Sequence, residues 1–119
     1  MFAVNKQNHF YRHLDFASSI IGSYDGTEPF HLYLKKYFSI HRKHGSRDRK
    51  QITALCYNFF RLGSGAADNL DVKDKLLLAT FLMENTSSPF LLSVAPNWNE
   101  KIHLPLHEKL LITEEFFNI

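Results

Sequence analysis

Apolar residues recur every three or four positions through most of this chain, the spacing of one face of an α-helix. Phe10, Leu14, Ala17, Ile21 and Tyr24 make the first stripe. Asp25-Gly26 closes it, because Gly accepts the left-handed conformation of a helix stop. Thr27 is placed to cap a second helix with Pro29 in its first turn, where the missing N–H has no duty. Its stripe runs through Phe30, Leu34, Tyr37, Phe38 and His41 to a stop at Gly45. Ser46 is placed to cap a third helix at once, with Ile52, Leu55, Cys56, Phe59 and Phe60 as its apolar face. Gly63 and Gly65 end it. So short a link at Gly45-Ser46 predicts a sharp turn between the second and third helices.

Asp71 caps a fourth helix, with Asp74 three residues on. Between Val72 and Met83 it carries almost no polar face, so it should lie at the centre of the fold. Thr86-Ser87-Ser88-Pro89 opens a short fifth helix that reaches about Val94. Pro96-Asn97-Trp98 reads as a loop, and residues 104–117 as a last helix with Leu106, Leu110, Leu111 and Phe117 turned inward. Nothing alternates with a period of two over a useful length. The expected fold is all-α, a compact bundle of about five to six helices in one domain spanning residues 1–119, with a loose arm over residues 1–7.

Charge changes the picture more than composition does. Between residues 35 and 61, eight cations (Lys35, Lys36, Arg42, Lys43, Arg47, Arg49, Lys50, Arg61) face only Asp48, a net of +7, whereas the whole chain carries +2. Such a stretch creates a local field that a polyanion feels. A cation near a helix C-terminus is favoured by the helix dipole, which accounts for Arg42 and Lys43. It does not account for Arg47, Arg49 and Lys50 at the start of a helix, where cations are disfavoured. Tyr33, Tyr57, His41 and His44 are interleaved with the charges, a pattern that suits RNA better than smooth duplex DNA. The expected binding set is Lys35, Lys36, Arg42, Lys43, Arg47, Lys50 and Arg61 on phosphates, with Asn58 on the same outward face and Tyr33, His41 or His44 stacking on an unpaired base.

Other chemistry is thin. Cys56 lies on a core stripe and reads as a small hydrophobe rather than a nucleophile. His103 and His107 have the i, i+4 spacing of metal ligands, but Pro105 lies between them, and no metal site is expected. Gly63-Ser64-Gly65 lacks the preceding strand and third glycine of a dinucleotide loop. No catalytic residues and no cofactor are expected in this chain. With one cysteine, no internal disulfide, no secretory signal and no apolar run long enough for a bilayer, a cytoplasmic protein without a membrane partner is expected.

The segment SRDRKQITALCYNFFRLG, residues 46–63, resembles the motif that closes the N-terminal helical domain of the Fmu/Sun (RsmB-like) ribosomal RNA cytosine-C5 methyltransferases. Asp48, Arg49, Ile52, Leu55, Cys56, Tyr57 and Arg61 match that motif in order. Upstream, Arg12-His13-Leu14, Tyr24-Asp25-Gly26, Pro29-Phe30 and Leu34 are similar to the start of such domains. The resemblance implies a NusB-like helical bundle that docks ribosomal RNA beside a C-terminal methyltransferase domain. It also implies that S-adenosylmethionine and the catalytic cysteines belong to that other domain. The apolar end, Phe116-Phe117-Asn118-Ile119, is likewise the ending expected of a piece of a longer protein. The alternative is a helical protein–protein module that docks a catalytic domain or a ribosomal protein, its charges serving only to steer encounter.

Overall fold

Asp71 and Ser88 mark the two helix starts that local chemistry fixes most firmly. In a computed structural model, which describes residues 10–63 and 69–117, the Asp71 carboxylate accepts the Asp74 N–H at 2.8 Å. Ser88 Oγ accepts the Leu91 N–H at 3.0 Å, with Pro89 in the first turn. Each side chain satisfies an amide that a helix N-terminus leaves orphaned. The described residues form seven helices and no strand: α1 (Tyr11–Ser23), α2 (Phe30–Ile40), α3 (Ser46–Leu62), α4 (Val72–Met83), α5 (Pro89–Val94), α6 (Pro96–Glu100) and α7 (Leu106–Phe117). The all-α expectation holds. The arm over residues 1–7 and the stop at Gly65 lie outside the described residues.

Helix α4 is the axis of the bundle. All seven residues from Leu76 to Leu82 are buried, and α1, α3 and α7 pack on it. Thr80, the one polar side chain in that run, donates to the Leu76 carbonyl within its own helix. Helices α1 and α3 also pack on each other, joining Leu14, Ala17 and Ile20 to Ile52, Leu55 and Cys56 in one core. None of these helices is long and apolar enough to cross a membrane.

Five expectations about local structure need correction. Thr27 does not cap α2: its N–H and hydroxyl both donate to Asp25 Oδ1, forming a turn around Gly26 (φ 80°), and the helix begins one residue after Pro29. Those two bonds hold the exposed Asp25 carboxyl below its ordinary pKa. Helix α2 stops at Ile40 rather than Gly45, so His41–Gly45 form a five-residue connection, because His44 turns inward onto Phe16 and Phe38. Ser46 does not cap α3, which starts at an N-cap Gly45 with no side-chain cap. Pro96-Asn97-Trp98 is not a loop. Proline is tolerated at a first helical position, and one turn of helix there carries Trp98 into the core against Phe81 (centroids 4.7 Å apart).

The last correction concerns α7. Leu106, Leu110 and Leu111 face solvent, while Lys109 and Thr113 are buried and Ile112 and Phe117 pack at the core margin. Lys109 Nζ donates to the carbonyls of Phe81 (2.9 Å) and Glu84 (2.7 Å), filling the orphaned acceptors at the C-terminus of α4.

Candidate functional site

Helix α3 turns Ile52, Leu55 and Cys56 to the core, so its remaining stripe, Ser46, Lys50, Thr53, Tyr57 and Arg61, must face outward at helical spacing. That stripe lines a groove of about 550 Å³ together with Phe38 of α2 and Glu84, just past α4. Arg49 lies on the same groove and also on a second one of about 560 Å³, with Lys35, Ser39, Arg42 and His44. Phe38 and Arg49 are common to both, so the two grooves are neighbours. Lys35, Arg42, Arg49, Lys50 and Arg61 therefore border one surface, with Glu84 the one carboxylate among its lining residues.

The rest of the expected set lies elsewhere. Lys36 is paired with Glu28 at 3.0 Å. Lys43 Nζ sits over the Phe16 ring, 4.7 Å from its centroid. Both border a groove between α1 and α2, together with Tyr33 and His41. Tyr33 is half-buried beside Tyr24 and Phe30, its hydroxyl bonded to Ser23 Oγ, and His41 stacks on Tyr37. Arg47 is exposed but borders neither of the two basic grooves. Arg42 Nε donates to the Ser39 carbonyl, a cation at the end of α2 as the dipole favours.

Two expectations are overturned outright. His44 is only 7% exposed and packs edge-on against two phenylalanines, so it offers no ring face to a base. Burial first, and the nearby Lys43 charge second, hold its pKa below 6.5. Asn58 is buried, not outward. Its Nδ2 donates to Glu84 Oε2 at 2.8 Å and its Oδ1 accepts from Arg61 at 3.0 Å. Conversely, Arg49, Tyr57 and Glu84 were missing from the expected set. The 46–50–53–57–61 spacing could have found Tyr57, but Glu84 reaches the groove only through tertiary packing.

The other reactive side chains have structural surroundings. His13, buried between Phe10 and Phe90, bonds through Nε2 to Asp48 at 3.1 Å, tying α1 to the first turn of α3. Cys56 is buried, which pushes its thiol up to about 12, far from a reactive thiolate. Pro105 precedes α7 and leaves His103 outside that helix, so His103 and His107 do not share one face. No group of three or more His, Cys, Asp or Glu among the described residues is arranged to hold a metal. No family model matches the chain, and no curated protein or solved structure matches it either.

Proposed function

We propose that this chain is an RNA-docking helical domain, with ribosomal RNA the ligand class suggested by the likeness of residues 46–63 to the methyltransferase motif. On this reading it delivers RNA to an adjoining catalytic domain, which would bind S-adenosylmethionine, and it does no chemistry itself. The observation that carries the reading is the convergence of Lys35, Arg42, Arg49, Lys50 and Arg61 on one bordered surface. The side chains of Lys35, Arg49 and Lys50 make no ion pair or hydrogen bond among the described residues, so their charges stand free for phosphates. Three of the five sit on α3, and a cluster at the N-terminal end of that helix opposes its dipole. A merely solvated face would not require that arrangement.

A salt series on a ribosomal RNA stem–loop tests it. With four to five phosphates engaged, log Kobs should fall against log salt with a slope of about −3 to −4. Arg49→Gln with Lys50→Gln should flatten that slope by about 1.5, at roughly 0.7 to 0.9 per phosphate lost. Lys36→Gln, on the α1–α2 groove and already paired with Glu28, should leave it unchanged. A slope near zero would sink the reading. It would favour the protein-docking alternative, for which Leu106, Leu110 and Leu111 on the outer face of α7 supply an apolar surface.

A further inference from the structure

A groove that only gripped phosphates would gain nothing from a carboxylate, yet Glu84 stands in this one, and it is held there from two sides. Its backbone carbonyl accepts from Lys109 Nζ, which also holds Phe81. Its Oε2 accepts from Asn58 Nδ2, whose own oxygen is taken by Arg61. That leaves Oε1 without a hydrogen-bond partner among the described residues. On the same groove stands Tyr57, 37% exposed, its ring braced edge-to-face by Phe30 with centroids 5.5 Å apart at 88°. The groove thus combines a braced aromatic face, an oriented acceptor that cannot donate, and flanking cations Arg49, Lys50 and Arg61.

We propose that this groove is a base-reading subsite that takes one unpaired nucleobase bearing an exocyclic amine, stacked on Tyr57 with its amino group donating to Glu84. The inference rests on the RNA-docking reading. Stacking on a tyrosine is tolerant of base identity, so it supplies affinity rather than choice. Choice comes from the carboxylate. An amino group of cytosine or adenine donates to it, whereas uracil in the same pose sets its O4 carbonyl against the carboxylate and must shift on Tyr57 to offer its N3–H instead. Phosphates on either side of the base meet Lys50 and Arg61.

Fluorescence anisotropy with labelled eight-nucleotide oligo-C and oligo-U on the intact chain tests this, because the two bases share one ring size and stacking face and differ in the donors and acceptors at position 4 and at N3. Oligo-C should bind roughly tenfold more tightly than oligo-U. Glu84→Gln, whose amide can still accept from Asn58 but can also donate, should close that gap. Tyr57→Ala should weaken both oligonucleotides by about tenfold without changing the salt slope, while Tyr57→Phe retains binding. Equal affinities for the two, or a preference that survives Glu84→Gln, would overturn the amino-group assignment. An unaffected Tyr57→Ala would overturn the stacking. In either case steep salt dependence would leave the phosphate-gripping surface standing. Failure of both oligonucleotides and of the stem–loop to bind at low salt would remove the RNA reading as well.

Discussion

His44 shows how one side chain can look functional in a list of residues and be structural in the fold. It follows three charged or polar positions in the most basic part of the chain, yet its ring fills the space between Phe16 and Phe38 and its Nε2 is buried with no hydrogen-bond partner among the described residues. Protonating that ring inside the fold costs more than in the unfolded chain, so its folded pKa lies below 6.5. A group with a depressed folded pKa contributes stability that is present above the unfolded value and is lost as pH falls through the folded one. Stability should therefore decline as pH drops below about 6.5, because the unfolded chain takes up the proton first. His44→Phe, which can occupy the same aromatic contacts, should remove that component. Urea unfolding of both proteins at pH 7.5 and pH 5.5 checks this, and equal losses in the two would contradict it. Cys56 offers a second test at this scale. With its thiol pushed up to about 12 and no exposed surface, it should react with a thiol reagent at neutral pH only as fast as the protein opens. Labelling at the rate of a free thiol in native protein would contradict the packing of α3.

At the scale of the element, legibility in the sequence follows from how local the cause is. Helix α4 was legible because its apolar run leaves almost no polar face, and its Asp71 cap because the partner amide is three residues away. Helix α5 was legible for the same reason at Ser88. Helix α6 was not, since Pro-Asn-Trp is turn chemistry until Trp98 finds Phe81, Phe116 and Phe117, contacts made across distant sequence. The rotation of α2 was also hidden. Leu34 alone is fully buried, so little in its pattern decides whether Lys35 and Lys36 share a groove, and they do not. The face of α7 was misread because three leucines outweigh one lysine in any apolar count, although that lysine caps α4 and lies over the Phe81 ring. The two registers predict opposite mutational outcomes. Lys109→Met should destabilise the fold by about 2 kcal/mol, since it strands two carbonyls at a buried helix end. Leu111→Gln, at a position 64% exposed, should change stability by no more than about 0.5 kcal/mol. Chemical unfolding midpoints of the two variants decide between the registers, and the reverse order of effects would restore the inward leucines.

Across the whole molecule, the +7 carried by residues 35–61 is concentrated on α2, α3 and their connection, while the apolar core lies mainly where α1, α3 and α4 meet. Like charges on one surface repel one another, and Arg47, Arg49 and Lys50 in the first turns of α3 also oppose its dipole, which its N-cap Gly45 leaves without a side-chain acceptor. Such an arrangement weakens the isolated fold, a cost that the proposed RNA docking would account for. It follows that Arg49→Gln with Lys50→Gln should raise stability at low ionic strength by about 0.3 to 1 kcal/mol, even as, on the proposed reading, it weakens binding to RNA. The gain should vanish near 1 M salt, where the screening length falls to about 3 Å and exposed charges scarcely sense one another. Urea unfolding of wild type and variant at roughly 0.01 M and 1 M salt separates this from its opposite. If the two cations instead held the fold together through unseen pairs, the double variant would be less stable at low salt. A loss of RNA affinity in that variant would then report damaged packing rather than missing phosphate contacts.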